Sequence, residues 1–212
     1  SVTMPEDTST NLVLTASDVD STNLVFAILT GPTNGGLSLL DTNSGALTYT
    51  PSTNYNGPDS FTFTVSDGSL LATGTVSLTV TPVNDGPVAN NQSVTTPEDT
   101  STNLVLVGSD VESAVTFAIL DNPTNGVISG FDTNSGALTY TPGTNYNGPD
   151  SFTFTVSDGS LVATGTVSIT VTPVNDGPVA NNQSVTTPED TSTNLVLTAS
   201  DVDNTNLVFA IL

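Results

Sequence analysis

Hydrophobic and polar residues alternate along several short stretches of the chain. In residues 60–66, SFTFTVS, Phe61, Phe63 and Val65 fall on one face and Thr62 and Thr64 on the other. In residues 75–81, TVSLTVT, the apolar face is Val76, Leu78 and Val80. A period of two is the mark of a half-buried strand, because successive side chains point to opposite sides of the backbone. A third strand is oriented by comparison within the chain. NLVFAIL has Val25 where the later AVTFAIL has Thr116. That position is expected to face solvent, leaving Leu24, Phe26 and Ile28 for the core. Outward threonines combine strand propensity with solubility. Turn dipeptides separate these runs: Asn34-Gly35, Asn56-Gly57 and Asp67-Gly68, with DTNSG between two further strands. No stretch reads as a helix.

The pattern recurs. PEDTSTNLVL begins at Pro5, Pro97 and Pro188; DTNSGALTYTP at Asp41 and Asp132; TNYNGPDSFTFTVSDGSL at Thr53 and Thr144. VNDGPVANNQ runs from Val83 to Gln92 and again from Val174 to Gln183. A spacing of 91 or 92 residues is too long for a solenoid rung and suits a small sandwich domain. The expected fold is all-β: tandem Greek-key β-sandwiches of about seven strands each, arranged as an extended rod. Repeat one is placed at 1–85, repeat two at 86–176 and the first strands of a third at 177–212. Residues 184–212 repeat residues 1–29 with only Met4 changed to Thr187 and Ser21 to Asn204. This third piece needs partner strands, because three strands require a packed apolar face. They could come from the continuation of a longer array, or from a neighbouring chain in a strand-exchanged polymer.

Charge changes the picture. The chain has 21 acidic residues and no Lys, Arg or His, for a formal charge of −21. Each close pair of carboxylates must be separated by water, protonated, or bridged by a cation from solution. At ~4 Å two like charges repel by about 4 kcal/mol at an effective dielectric of 20. Without basic side chains, nucleic acid is excluded as a partner on electrostatic grounds. No apolar run approaches the roughly 20 residues of a membrane helix, so no membrane insertion is expected in this segment. With no cysteine or histidine, neither thiolate nor imidazole is available for zinc, and the remaining oxygen donors suit calcium.

Taken in order, VTTPEDTS, SDVD, YTPSTNYNGPDSFTFTVSDG and VTPVNDGPVA resemble the cadherin-like tandem repeats of large bacterial surface proteins and adhesins. The resemblance implies a Greek-key sandwich with calcium held between consecutive domains. It marks Glu6, Glu98 and Glu189 as base glutamates, and Asn84, Asp85, Asn175 and Asp176 as linker ligands. It also marks the Asp-x-Asp pairs Asp18/Asp20 and Asp201/Asp203, with Asp110/Glu112 in repeat two, and the Asp67 and Asp158 of VSDG. Asp59 and Asp150, in NGPD, are weaker counterparts, since the family's acidic pair is not present there. The linker is shorter than the family's, with Pro82 and Pro173 where a first Asp would stand. The upper-domain Asp of VSDG has no counterpart at join two before the sequence given stops. Asp7 and Asp41 read as surface or turn residues.

Three functions come into question for such a chain. The first is a structural rod or stalk of an extracellular fibre or adhesin, stiffened by calcium, with further copies of the repeat as neighbours. The second is an adhesive module binding a glycan or cell-surface receptor, although no aromatic cluster marks a sugar platform. The third is an enzyme. The usual nucleophile–base pairs are unavailable without His, Cys or Lys, and a two-carboxylate glycosidase would need a cleft that nothing indicates. The expectation is therefore a non-enzymatic protein at the cell surface or outside the cell. Asn91 and Asn182 stand in Asn-Gln-Ser sequons, which makes them candidate glycosylation sites.

Overall fold

The computed structural model describes residues 1–211. Its contacts divide the chain into two compact units, Ser1–Asp85 and the remainder from Gly86. Unit one contains β1 (Val2–Pro5), β2 (Thr10–Val13), β3 (Val25–Thr30), β4 (Gly35–Leu37), β5 (Ala46–Pro51), β6 (Gly57–Ser66) and β7 (Leu71–Thr81). They form two sheets, ordered β1-β7-β6-β3 and β2-β5-β4. β1 runs parallel to β7; the other pairings are antiparallel. Phe61, Phe63, Leu78 and Val80 of one sheet pack against Leu12, Leu47 and Tyr49 of the other. Phe26 is buried, Leu24 and Ile28 pack against this core, and Val25 is exposed, as the comparison of copies predicts. Val65 and Val76, on the same alternating faces, pack against the core but are only partly buried.

Unit two repeats this plan and adds a short strand from the linker. It contains β8 (Val88–Ala89), β9 (Gln92–Pro97), β10 (Thr102–Val105), β11 (Gly108–Ser109), β12 (Thr116–Asp121), β13 (Gly126–Ser129), β14 (Ala137–Pro142), β15 (Gly148–Ser157) and β16 (Val162–Thr172). Its main sheets are β12-β15-β16-β9 and β10-β14-β13, while β8 pairs with β11. Among the described residues beyond β16, only β17 (Val179–Ala180) and β18 (Ala199–Ser200) pair, antiparallel to each other. Leu195, Val196, Val208 and Phe209, which follow or precede them, are exposed.

Close fits explain some residue choices. A Cβ added at Gly74 in β7 would lie 2.5 Å from the Phe63 ring, so the aromatic ring occupies the space a side chain would need. Asp7 and Asn54 both take positive φ, 54° and 56°, a region that Asp and Asn tolerate better than most residues. The Asn54 N–H donates to Asp7 Oδ1 at 3.1 Å, tying the turn after β1 to the turn before β6. Asp99 and Asn145 repeat the arrangement.

Candidate functional site

The acidic residues separate into those the fold consumes and those it leaves available. Asp59, at the start of β6, is buried. Its carboxylate accepts from Thr33 N, Asn34 N, Ser60 N and the Tyr49 hydroxyl, at 2.8–3.1 Å. Burial pushes its pKa up, but the hydrogen bonds outweigh burial and hold it below the ordinary 3.8. The Tyr49 phenol is pushed well above its usual range by burial and by Asp59. Asp150 receives the matching bonds from Thr124, Asn125, Ser151 and Tyr140. Both carboxylates are already taken up by donors of their own sandwich, and both link its two sheets.

The base glutamates occupy a different setting. Glu6 is 1% exposed and accepts the Val83 N–H at Oε1, 2.7 Å away, which fastens the start of the linker. Its Oε2 is buried with no hydrogen-bond partner. Glu98 holds Val174 in the same way at 2.7 Å, and its Oε2 has only a 3.4 Å contact from Asn147. Glu189, in the third piece, is exposed.

Each Asp-x-Asp is an Asx turn, a side chain accepting backbone N–H groups two and three residues on. Asp18 Oδ1 accepts from Asp20 and Ser21, Asp110 Oδ1 from Glu112 and Ser113, and Asp201 Oδ1 from Asp203 and Asn204. The first acidic residue organises the loop with one oxygen, and the third position projects from it. Asp110 Oδ2 is buried without a hydrogen-bond partner. Asp67 and Asp158 use Oδ1 likewise, on the two N–H groups of the β6–β7 and β15–β16 turns. In unit one Asp18 and Asp67 line one hollow of about 270 Å³. Asn84 and Asn175 each donate to the carbonyl of the following Asp at 2.9 Å, giving both linkers the same local turn.

The second linker meets the third piece within unit two. The Asp176 N–H donates to Asp203 Oδ2 at 2.7 Å. The Asp176 carboxyl is pushed above its ordinary pKa by burial, then by the negative charges of Asp203, Asp99, Glu98 and Asp201. Of these neighbours, Asp99 was missed from sequence. Its counterpart Asp7 read as a surface residue, and the only signal was its place directly after the base glutamate. Among the described residues, no three acidic side chains are gathered into an ion-holding group as they stand. Asn91 is exposed, with its Oδ1 accepting the Thr166 N–H at 2.8 Å; Asn182 is also exposed.

These features define a class: tandem seven-stranded immunoglobulin-like sandwiches, joined by short acidic linkers. The chain belongs to the bacterial Ig domain family, whose model matches residues 1–81 and 84–170. It is 28% identical to an integrin beta-like protein E of Dictyostelium discoideum over 93% of this chain and 12% of that protein's length. Mouse protocadherin-24 EC1-3 is similar in structure, with a TM-score of 0.52 and 18% identity over 95% of this chain and 72% of that one. That likeness supports the fold alone. An endo-fucoidan hydrolase of glycoside hydrolase family 107 also matches, at 26% identity and a TM-score of 0.37, over 82% of this chain and 27% of that enzyme. No helix among the described residues is long and apolar enough to cross a membrane.

Proposed function

We propose that this chain is a non-catalytic rod or stalk segment of an extracellular or cell-surface protein, stiffened by calcium ions at the joins between successive sandwiches. The observation that carries this reading is the crowding at Asp176. Its carboxyl stands among the charges of Asp203, Asp99, Glu98 and Asp201, in a chain with no cationic side chain. Calcium takes about six to eight oxygen ligands, and the donors here are all oxygens. At join two, Glu98, Asn175, Asp176, Asp201 and Asp203 would hold it, with Asp99 adding charge. By sequence correspondence, Glu6, Asn84, Asp85, Asp110 and Glu112 form the equivalent set at join one, to which repeat two adds Asp158. The Glu6 Oε2 and Asp110 Oδ2 atoms, buried without hydrogen-bond partners, are the kind of oxygen a cation satisfies. Asp18, Asp20 and Asp67 stand ready for a join before repeat one. Asp59 and Asp150 are left out, because their own sandwiches already engage them.

An ion bound to the folded state alone adds about 2.7 kcal/mol of stability at a hundred times its Kd. The unfolding midpoint in denaturant should therefore rise between EDTA and millimolar calcium. Asp176→Ala should lose part of that rise while its midpoint in EDTA stays close to the parent's. Equal midpoints in EDTA and calcium for the parent chain would refute the metal reading.

A further inference from the structure

The turn dipeptide Asn-Gly occurs four times in the chain, at Asn34-Gly35, Asn56-Gly57, Asn125-Gly126 and Asn147-Gly148. It has a chemistry of its own. A glycine nitrogen has no neighbouring Cβ to shield it, so it can reach the carboxamide carbon of the preceding asparagine. Whether it does so depends on how firmly the peptide is held, and the fold treats the four differently.

Asn34 and Asn125 are clamped. The Asn34 N–H donates to Asp59 Oδ2 at 3.0 Å, and its carbonyl accepts the Ser52 N–H at 2.9 Å. Asn125 is held in the same way, by Asp150 Oδ2 at 3.0 Å and by the Gly143 N–H at 2.7 Å. The glycines that follow lie against tyrosine rings. A Cβ at Gly35 would be 2.5 Å from the Tyr49 ring, and one at Gly126 would meet Tyr140. Neither peptide has room to turn into the geometry of attack.

Asn56 and Asn147 are exposed, each in the turn that leads into a long strand, β6 or β15. Gly57 and Gly148 both take φ 133°, a value that other residues rarely adopt, so the turn itself demands glycine there. Asn147 Nδ2 donates to Glu98 Oε2 at 3.4 Å, beyond the usual length of such a bond. In repeat one the Asn54 N–H ties the same turn to Asp7, the neighbour of Glu6, and Glu6 Oε2 is buried with no hydrogen-bond partner.

We propose that Asn56 and Asn147 are sites of spontaneous deamidation, at which the chain gains a carboxylate in the turn beside a base glutamate. At Asn147 the Gly148 nitrogen gives its proton to hydroxide and attacks Cγ. A C–N bond forms, the Cγ–Nδ2 bond breaks, and Nδ2 leaves as ammonia with a proton from water. Water then opens the cyclic imide at one carbonyl or the other, leaving isoaspartate or aspartate. No oxidant or reductant is needed, and water is the only co-reactant consumed. The new carboxylate faces Glu98 in a chain with no cationic side chain, and like charges at that range repel. Deamidation does not rest on the calcium reading, and a test in EDTA keeps the two apart.

The folded chain is aged in EDTA in warm, mildly alkaline buffer, beside a second sample unfolded in guanidinium chloride. Both are cut with an endoprotease specific for acidic residues and sequenced by tandem mass spectrometry. Asp41 and Asp132 place the clamped and the exposed asparagines of each repeat in different fragments. In the folded sample Asn56 and Asn147 should gain the Asn-to-Asp mass several-fold faster than Asn34 and Asn125. In the unfolded sample all four should convert at comparable rates. No conversion at Asn56 and Asn147 in the folded chain, or equal conversion at all four there, would overturn the proposal. The place of the new charge is read by substitution. Asn147→Asp should lower the urea midpoint in EDTA, and lower it less in a Glu98→Gln background. Equal losses in the two backgrounds, or none in either, would overturn the placement against Glu98.

Discussion

Asp59 lies at the start of β6 with four donors around its carboxylate, whereas Asp176 feels the negative charges of Asp203, Asp99, Glu98 and Asp201. The consequences for pH run in opposite directions. The folded-state pKa of Asp59 is lowered, so its contribution to stability is present above 3.8 and is lost as pH falls through the folded value. That of Asp176 is raised, so in the window above 3.8 the folded chain holds a proton the unfolded chain releases, and stability falls as pH rises through it. A carboxyl-carbon NMR titration in EDTA should place the Asp176 midpoint above 3.8, and calcium should move it down by competing with the proton. A midpoint at or below 3.8 without calcium would contradict the crowding. Asp59→Ala removes the acceptor for the Tyr49 hydroxyl and three backbone N–H groups, and leaving buried donors unpaired costs about 1–3 kcal/mol. A urea midpoint unchanged by Asp59→Ala would show that this carboxylate does not hold the sheets together.

At the scale of elements, the long strands were legible because alternation survives without context. Phe61 and Phe63 read inward from their threonine neighbours, and the structure buries both. Three kinds of feature were not legible. The linker strands β8 and β17 are two residues long and follow a proline, so no period can be read from them; they exist because β11 and β18 offer an edge. The bond between Tyr49 and Asp59 joins residues of opposite sheets, and NGPD alone looks like a turn with a spare acid. The grouping of Asp99 with Asp176 depends on the path of the second linker, which no local pattern encodes. The packing that resulted makes its own forecast. Gly74→Ala would push a methyl into the Phe63 ring, whereas a Cβ at Gly36 meets nothing within 4 Å. Overpacking a core costs about 1–3 kcal/mol. Gly74→Ala should therefore lower the denaturation midpoint well below that of Gly36→Ala, and equal midpoints would mean the Phe63 ring lies less closely over β7 than described.

At the scale of the whole molecule, the proposed function gives stability and stiffness separate sources. Each sandwich is held by its own apolar core and by the buried Asp–Tyr bond. The linker sequences carry acidic residues in a chain with no cationic side chain, and the proposed function assigns stiffness to calcium held there. Removing calcium is therefore expected to loosen the joins while the sandwich cores stay folded. Small-angle X-ray scattering of size-separated single chains, in EDTA and in millimolar calcium, tests this most directly. The account predicts a longer maximum dimension and a narrower spread of distances with calcium than without. Superimposable curves in the two solutions, from chains shown to be folded, would contradict it.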